Sequence, residues 1–111
     1  MVSAYPLRPE VEPPNRDGAT ITLSGDVNGA VFDALGSATS RELLRVLTAE
    51  PLPASDLADE VGTSLQNVNY HLGKLESADL IERVGTWYSE RGCEMAVYAS
   101  TAEQVTIDLH G

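Results

Sequence analysis

The sequence predicts a mainly α fold with a small β-sheet, an α+β domain. Three observations carry that prediction. Two helix-like stretches, about 55–61 and 63–78, are joined by a tight turn at Gly62. The apolar spacing of 3, 4 and 3 along Leu65, Val68, Leu72 and Leu75 stops near Leu80. Beyond it, two alternating runs flank Ser89-Glu90-Arg91-Gly92, a turn signal. At 111 residues and 42% hydrophobic, the chain suits one ordinary domain with a modest core.

In chain order, residues 1–18 read as a flexible arm, because YPLRPEVEPPNRDG holds four prolines and almost no apolar density. The domain then occupies 19–111. ATITLSG, 19–25, alternates Ile21 and Leu23 with threonines, a pattern that fits either a short strand or an irregular segment. Val27, Val31 and Leu35 fall four apart, one face of a helix that Gly36 ends. Thr39 stands three before Glu42, a capping box for a second helix through Leu47 with Leu43, Leu44 and Leu47 inward. Pro51 and Pro53 mark a loop. A third helix, about 55–61, buries Leu57, Ala58 and Val61, with Gly62 as its C-cap.

Thr63 stands three before Gln66, a second capping box, and opens the fourth helix, 63–78. Its buried side is expected to be Leu65, Val68, Leu72 and Leu75. Strands follow at 80–84 and 94–99, joined by the turn. VTIDL, 105–109, alternates again and reads as a last strand or as part of a contact between chains. Two helices this close, with the second held outward, form a helix-turn-helix, and a β-hairpin directly behind it is a wing. The expected architecture is therefore a winged helix-turn-helix.

Residues 31–99 resemble the winged helix-turn-helix domain of ArsR-type transcriptional regulators, in particular a haloarchaeal branch lacking the cysteine metal site. The resemblance rests on ALGSATSRELLRVL, LADEVGTSLQNVNYHLGKLESADLIER and WYSERGCEMAVYA. It implies a homodimeric DNA-binding regulator with dimer contacts from its terminal elements. Metal-sensing members carry a cysteine pair in the first helix of the motif, where this chain has PASDLADEV. No metal or cofactor is therefore expected, although a carboxylate–histidine site shared across a dimer stays open through His110. The sheet-like ends also depart from the long terminal helices usual in the family.

If the apolar side of helix 63–78 is buried, its other side presents Gln66, Asn67, Tyr70, Gly73 and Lys74, flanked by Asn69 and His71. Amides pair with adenine N6 and N7, and Ser64 at the helix start reaches phosphate or base. Tyr70 suits a sugar or phosphate contact, and Lys74 is the phosphate cation. His71 either reads a base or bonds back to the first helix. Arg91 at the wing tip fits minor-groove phosphates or a surface ion pair, and Arg83 lies at the wing base. Arg41 and Arg45 are either backbone contacts or structural, Arg41 more structural. Of Trp87 and Tyr88, alternation packs one under the wing and leaves the other for an interface.

The formal charge is -10, from seventeen acids spread along the whole chain against seven bases, of which Lys74 is the only lysine. An acidic surface of this kind suits concentrated salt, where charges are screened within roughly 3 Å at 1 M. Counterion release contributes little to DNA affinity there. Local sign then outweighs total charge, and no acid occurs between Ser64 and Leu75. The expected partners are double-stranded DNA and a second copy of the chain, with any small-molecule effector unspecified.

Other classes fit less well. There is no apolar run near twenty residues, no basic region leading an apolar core at the start, and one cysteine, Cys93. These features lead us to expect a cytoplasmic protein without a membrane span. The two histidines are not spaced as ligands or as a catalytic pair, and no phosphate loop is present, so an enzyme is not expected. The alternative is a winged helix used for protein contact, with Tyr70, Trp87 and Tyr88 as anchors.

Overall fold

The computed structural model describes residues 18–22 and 29–109. Residues 1–17 of the expected N-terminal arm, residues 23–25 of the first strand pattern, Val27 and His110 lie outside the described residues. The elements run β1 (Ala19–Thr22), α1 (Gly29–Leu35), α2 (Ala38–Ala49), β2 (Leu52–Pro53), α3 (Ala54–Val61) and α4 (Leu65–Ser77). They end with β3 (Ile81–Tyr88), β4 (Glu94–Ser100) and β5 (Val105–Asp108).

The helices form because their apolar spacing serves one core. Leu43 and Leu47 of α2, Leu57 of α3, and Val68, Leu72 and Leu75 of α4 are all fully buried or nearly so. Fully burying a side chain of this size stabilises by about 1.5–3 kcal/mol. The caps differ from the two expected boxes. Ser37, not Thr39, caps α2 by accepting from the Ser40 amide, and Ser64, not Thr63, caps α4 by accepting from the Asn67 amide. Each helix starts where a serine leaves the helical region first, in extended backbone. The end of α3 is as expected: Gly62 holds φ at +75°, a left-handed conformation that glycine adopts without steric cost.

Leu65 also departs from expectation. It continues the spacing of Val68 and Leu72 yet is 49% exposed. It is the first residue of α4, where the helix runs past the edge of the core. A helical side chain leans toward the N-terminus, which carries Leu65 further outward.

The sheet is three-stranded, ordered β2-β4-β3, with both pairings antiparallel. β4 is central, so Tyr98 and Ser100 are buried as well as Val97 and Ala99, and alternation does not hold along it. β2 lies in the stretch read as a loop. It pairs Leu52 with Tyr98 and Pro53 with Val97, and its proline is tolerated at a sheet edge. The hairpin of β3 and β4 is the expected wing, with a register shift between Arg83 and Gly85. Its turn closes through the Ser89 amide donating to Cys93 O and the Gly92 amide to Ser89 O.

The terminal strands find each other. β1 and β5 form a separate parallel pair with Ile21 opposite Ile107. Ile21 joins the core cluster, whereas Ile107 and Leu109 are exposed.

Candidate nucleic-acid interface

α4 is held between the helices behind it and the wing. Because 3.6 residues make a turn, its polar side chains separate into two rows. Gln66, Asn69, Tyr70 and Gly73 form the outward row, all exposed, with Tyr70 at 60%. Asn67, His71 and Lys74 form a second row, half-buried and turned toward the other helices.

Each member of the second row is engaged inside the molecule. Asn67 Nδ2 donates to Thr63 Oγ1 at 3.0 Å, fixing the amide against the turn. His71 Nδ1 is hydrogen-bonded to the fully buried hydroxyl of Ser40 at 3.0 Å, the donor being set by the imidazole tautomer. The histidine is thus tied to α2, whereas one of its two expected readings has it bonding back to the first helix. Lys74 Nζ lies 3.5 Å from the Asp33 carboxylate of α1 and 5.0 Å from the centre of the Tyr70 ring. A hydrogen bond to Tyr70, then the charge of Asp33, raise the lysine pKa against the opposing effect of desolvation. Lys74 therefore stays protonated at any neutral pH, and Tyr70 is braced by Lys74 on one side and the edge of His71 at 5.1 Å on the other.

At the helix start, Ser64 Oγ accepts the Asn67 amide at 3.0 Å and remains exposed. The arginines divide by location. Arg41 Nη1 donates to Leu35 O at 2.7 Å and so closes the end of α1. Arg45 donates to both carboxylate oxygens of Glu42, at 2.5 and 3.1 Å, which lowers the Glu42 pKa. Arg83 Nε lies 3.8 Å from Glu76, and its guanidinium stands 5.7 Å from the Tyr98 ring centre. Arg91 is exposed at the wing turn, between exposed Glu90 and Glu94.

Trp87 is buried at 7% exposure, and Tyr88 is half-buried. The tryptophan fills the underside of the wing, so it is not available as a surface anchor. Two features escaped sequence reasoning. Ser40 carried no signal, since its neighbours Thr39 and Arg41 gave no reason to bury it. The exposure of Leu65 was signalled by Ser64, an N-cap residue immediately before it. Among the described residues no group of three His, Cys, Asp or Glu could hold a metal ion, and no helix is long and apolar enough to cross a membrane.

A helix-turn-helix with a hairpin directly behind it, its second helix showing an uncharged polar row, defines a winged helix-turn-helix. Comparison with known proteins agrees. Residues 35–84, from the end of α1 into β3, match the family model described as a helix-turn-helix domain. NolR from Sinorhizobium fredii is similar in structure, at 22% identity and TM-score 0.55, over 69% of this chain and 71% of that one. So is the homodimeric winged helix-turn-helix DNA-binding domain of a possible ArsR-family transcriptional regulator from Mycobacterium bovis. That match has 20% identity and TM-score 0.56, over 70% and 67% of the two chains. A possible transcriptional regulator from Methanosarcina mazei matches at 13% identity and TM-score 0.53, over 71% and 68%. No curated protein matches significantly. The fold of this chain is a winged helix-turn-helix, shared with these structures.

Proposed function

We propose that the protein is a sequence-specific double-stranded DNA-binding transcriptional regulator of a halophilic archaeon, acting as a homodimer. Helix 63–78 enters the major groove, and the wing 80–99 meets the adjacent minor groove or its phosphates. One observation carries the reading: Gln66, Asn69, Tyr70 and Gly73 are exposed together on the second helix of the motif, in a stretch with no acid from Val61 to Leu75.

The roles follow from position. Gln66 and Asn69 supply amides for base edges, and Tyr70 a ring and hydroxyl for sugar or phosphate. Ser64 and Lys74 contact phosphate, as does Arg91 from the wing. Asn67 holds the turn that aims Gln66. His71, Arg41, Arg45 and Arg83 are structural. The dispersed acidic surface supports a salt-rich cytoplasm, and the homodimeric DNA-binding neighbour supports dimerisation. In a dimer the two α4 helices should stand about 34 Å apart to read successive major grooves.

The reading as a protein-contact module is weaker, because Trp87 lies inside and Tyr70 is braced by Lys74. Mobility shift of a duplex carrying the protein's own promoter, in molar potassium chloride, tests the proposal. Wild type should retard the duplex, and a Gln66→Ala/Asn69→Ala double variant should not. Equal retardation by the variant would remove the base-reading role.

A further inference from the structure

We infer that Leu65 is a specificity-determining residue that reads the C5-methyl group of one operator thymine, an inference that rests on the DNA-binding reading above. Leu65 is the first residue of α4 and nearly half exposed. It sits at the end of the second motif helix whose N-terminal residues contact base edges. Leu65 is not part of the hydrophobic core, to which Val68 is the first residue of α4 to belong. A polar residue there would extend the row of Gln66 and Asn69; the chain instead places a large aliphatic group.

The surroundings match that choice. Leu65 forms one wall of a cleft of about 310 Å³ between the starts of α3 and α4 and the wing strand β4, lined also by Pro53, Ala54, Asn69 and Met95. No charged residue lines this cleft, in a chain with seventeen acids. Asn69 follows Leu65 by four residues, so the two share one side of the helix. An aliphatic group and an amide are thus presented side by side. In the major groove thymine alone carries a methyl group, and the adenine paired with it offers the N7 acceptor and N6 donor that an amide matches. The pair Leu65 and Asn69 therefore selects A·T at one position, with the methyl contact fixing which strand holds the thymine.

The test starts from the duplex that the full chain selects out of a random pool in molar potassium chloride. Each thymine of that site is then replaced singly by deoxyuridine, which removes only the methyl group. Wild type should lose about four-fold in affinity at one thymine, the worth of one buried methyl group, and little elsewhere. Leu65→Ala should bind the thymine and uracil duplexes equally, while Leu65→Met, still aliphatic, should keep the preference. Indifference of wild type to every uracil, or an equal loss by wild type and both variants, overturns the inference and leaves DNA binding intact. Selection of no duplex at all overturns the DNA-binding reading, and this inference with it. Thermal unfolding of both variants close to wild type separates lost contact from lost fold.

Discussion

Asp79 holds φ at +58° immediately after α4. The Leu80 amide donates to Leu75 O and the Asp79 amide to Glu76 O, both at 3.0 Å, so the last carbonyls of the helix are satisfied by a Schellman ending. Thr101 fastens the same turn, its hydroxyl donating to Asp79 O at 2.7 Å. The conformation is required by these bonds, yet any residue with a Cβ is strained there. Replacing Asp79 with glycine should stabilise the protein by about 1 kcal/mol, raising its melting temperature by a few degrees. Ser40 gives the opposite case. Its hydroxyl is wholly buried against His71, and Ser40→Ala leaves the imidazole without that partner. The expected cost is about 1 kcal/mol, measurable by urea denaturation as a lower midpoint with an unchanged slope.

At the scale of elements, α4 has to satisfy two demands. Gly73 lies mid-helix on the outward row, and a methyl group added there would meet nothing within 4 Å. Gly73→Ala should thus raise stability by about 1 kcal/mol through helix propensity. If α4 sits close in a groove, the same methyl should weaken operator binding several-fold. A variant that melts higher but binds less tightly by fluorescence anisotropy is the expected outcome; unchanged binding would mean that the backbone at Gly73 does not approach DNA closely. How legible each element was in the sequence follows from how local its cause is. The spacing of Val68, Leu72 and Leu75 and the left-handed Gly62 are local, and the helices and the turn between them follow from them. β2 is two residues, one a proline, and exists only because β4 lies beside it. Likewise β1 and β5 are joined across more than eighty residues, so neither strand pattern names its partner. Leu65 was misread because periodicity does not show where a core stops, and the rows of α4 could be told apart only once Ser40 and Asp33 were in place.

For the whole molecule the decisive quantity is charge. With a net charge of -10, the chain repels a duplex in dilute buffer, and screening relieves that repulsion as salt rises. Against it stands counterion release, which lowers affinity with a logarithmic slope of about -0.9 for each phosphate neutralised. The proposed face offers Lys74 and Arg91, and Lys74 is already shared with Asp33. Two cations per chain correspond to a slope of about -2 per chain at most, and the loss of self-repulsion works against even that. Operator affinity measured by anisotropy from 0.2 to 3 M potassium chloride (roughly one to a few ångströms of screening at the upper end) should therefore fall shallowly or rise. A slope markedly steeper than about -2 per chain would mean that basic residues other than these two carry the phosphate contacts. Lys74→Gln, with Arg91 kept, should flatten the slope by about one unit per chain while leaving the uracil sensitivity at Leu65 unchanged. That result would separate the groups that position the helix from those that read the bases.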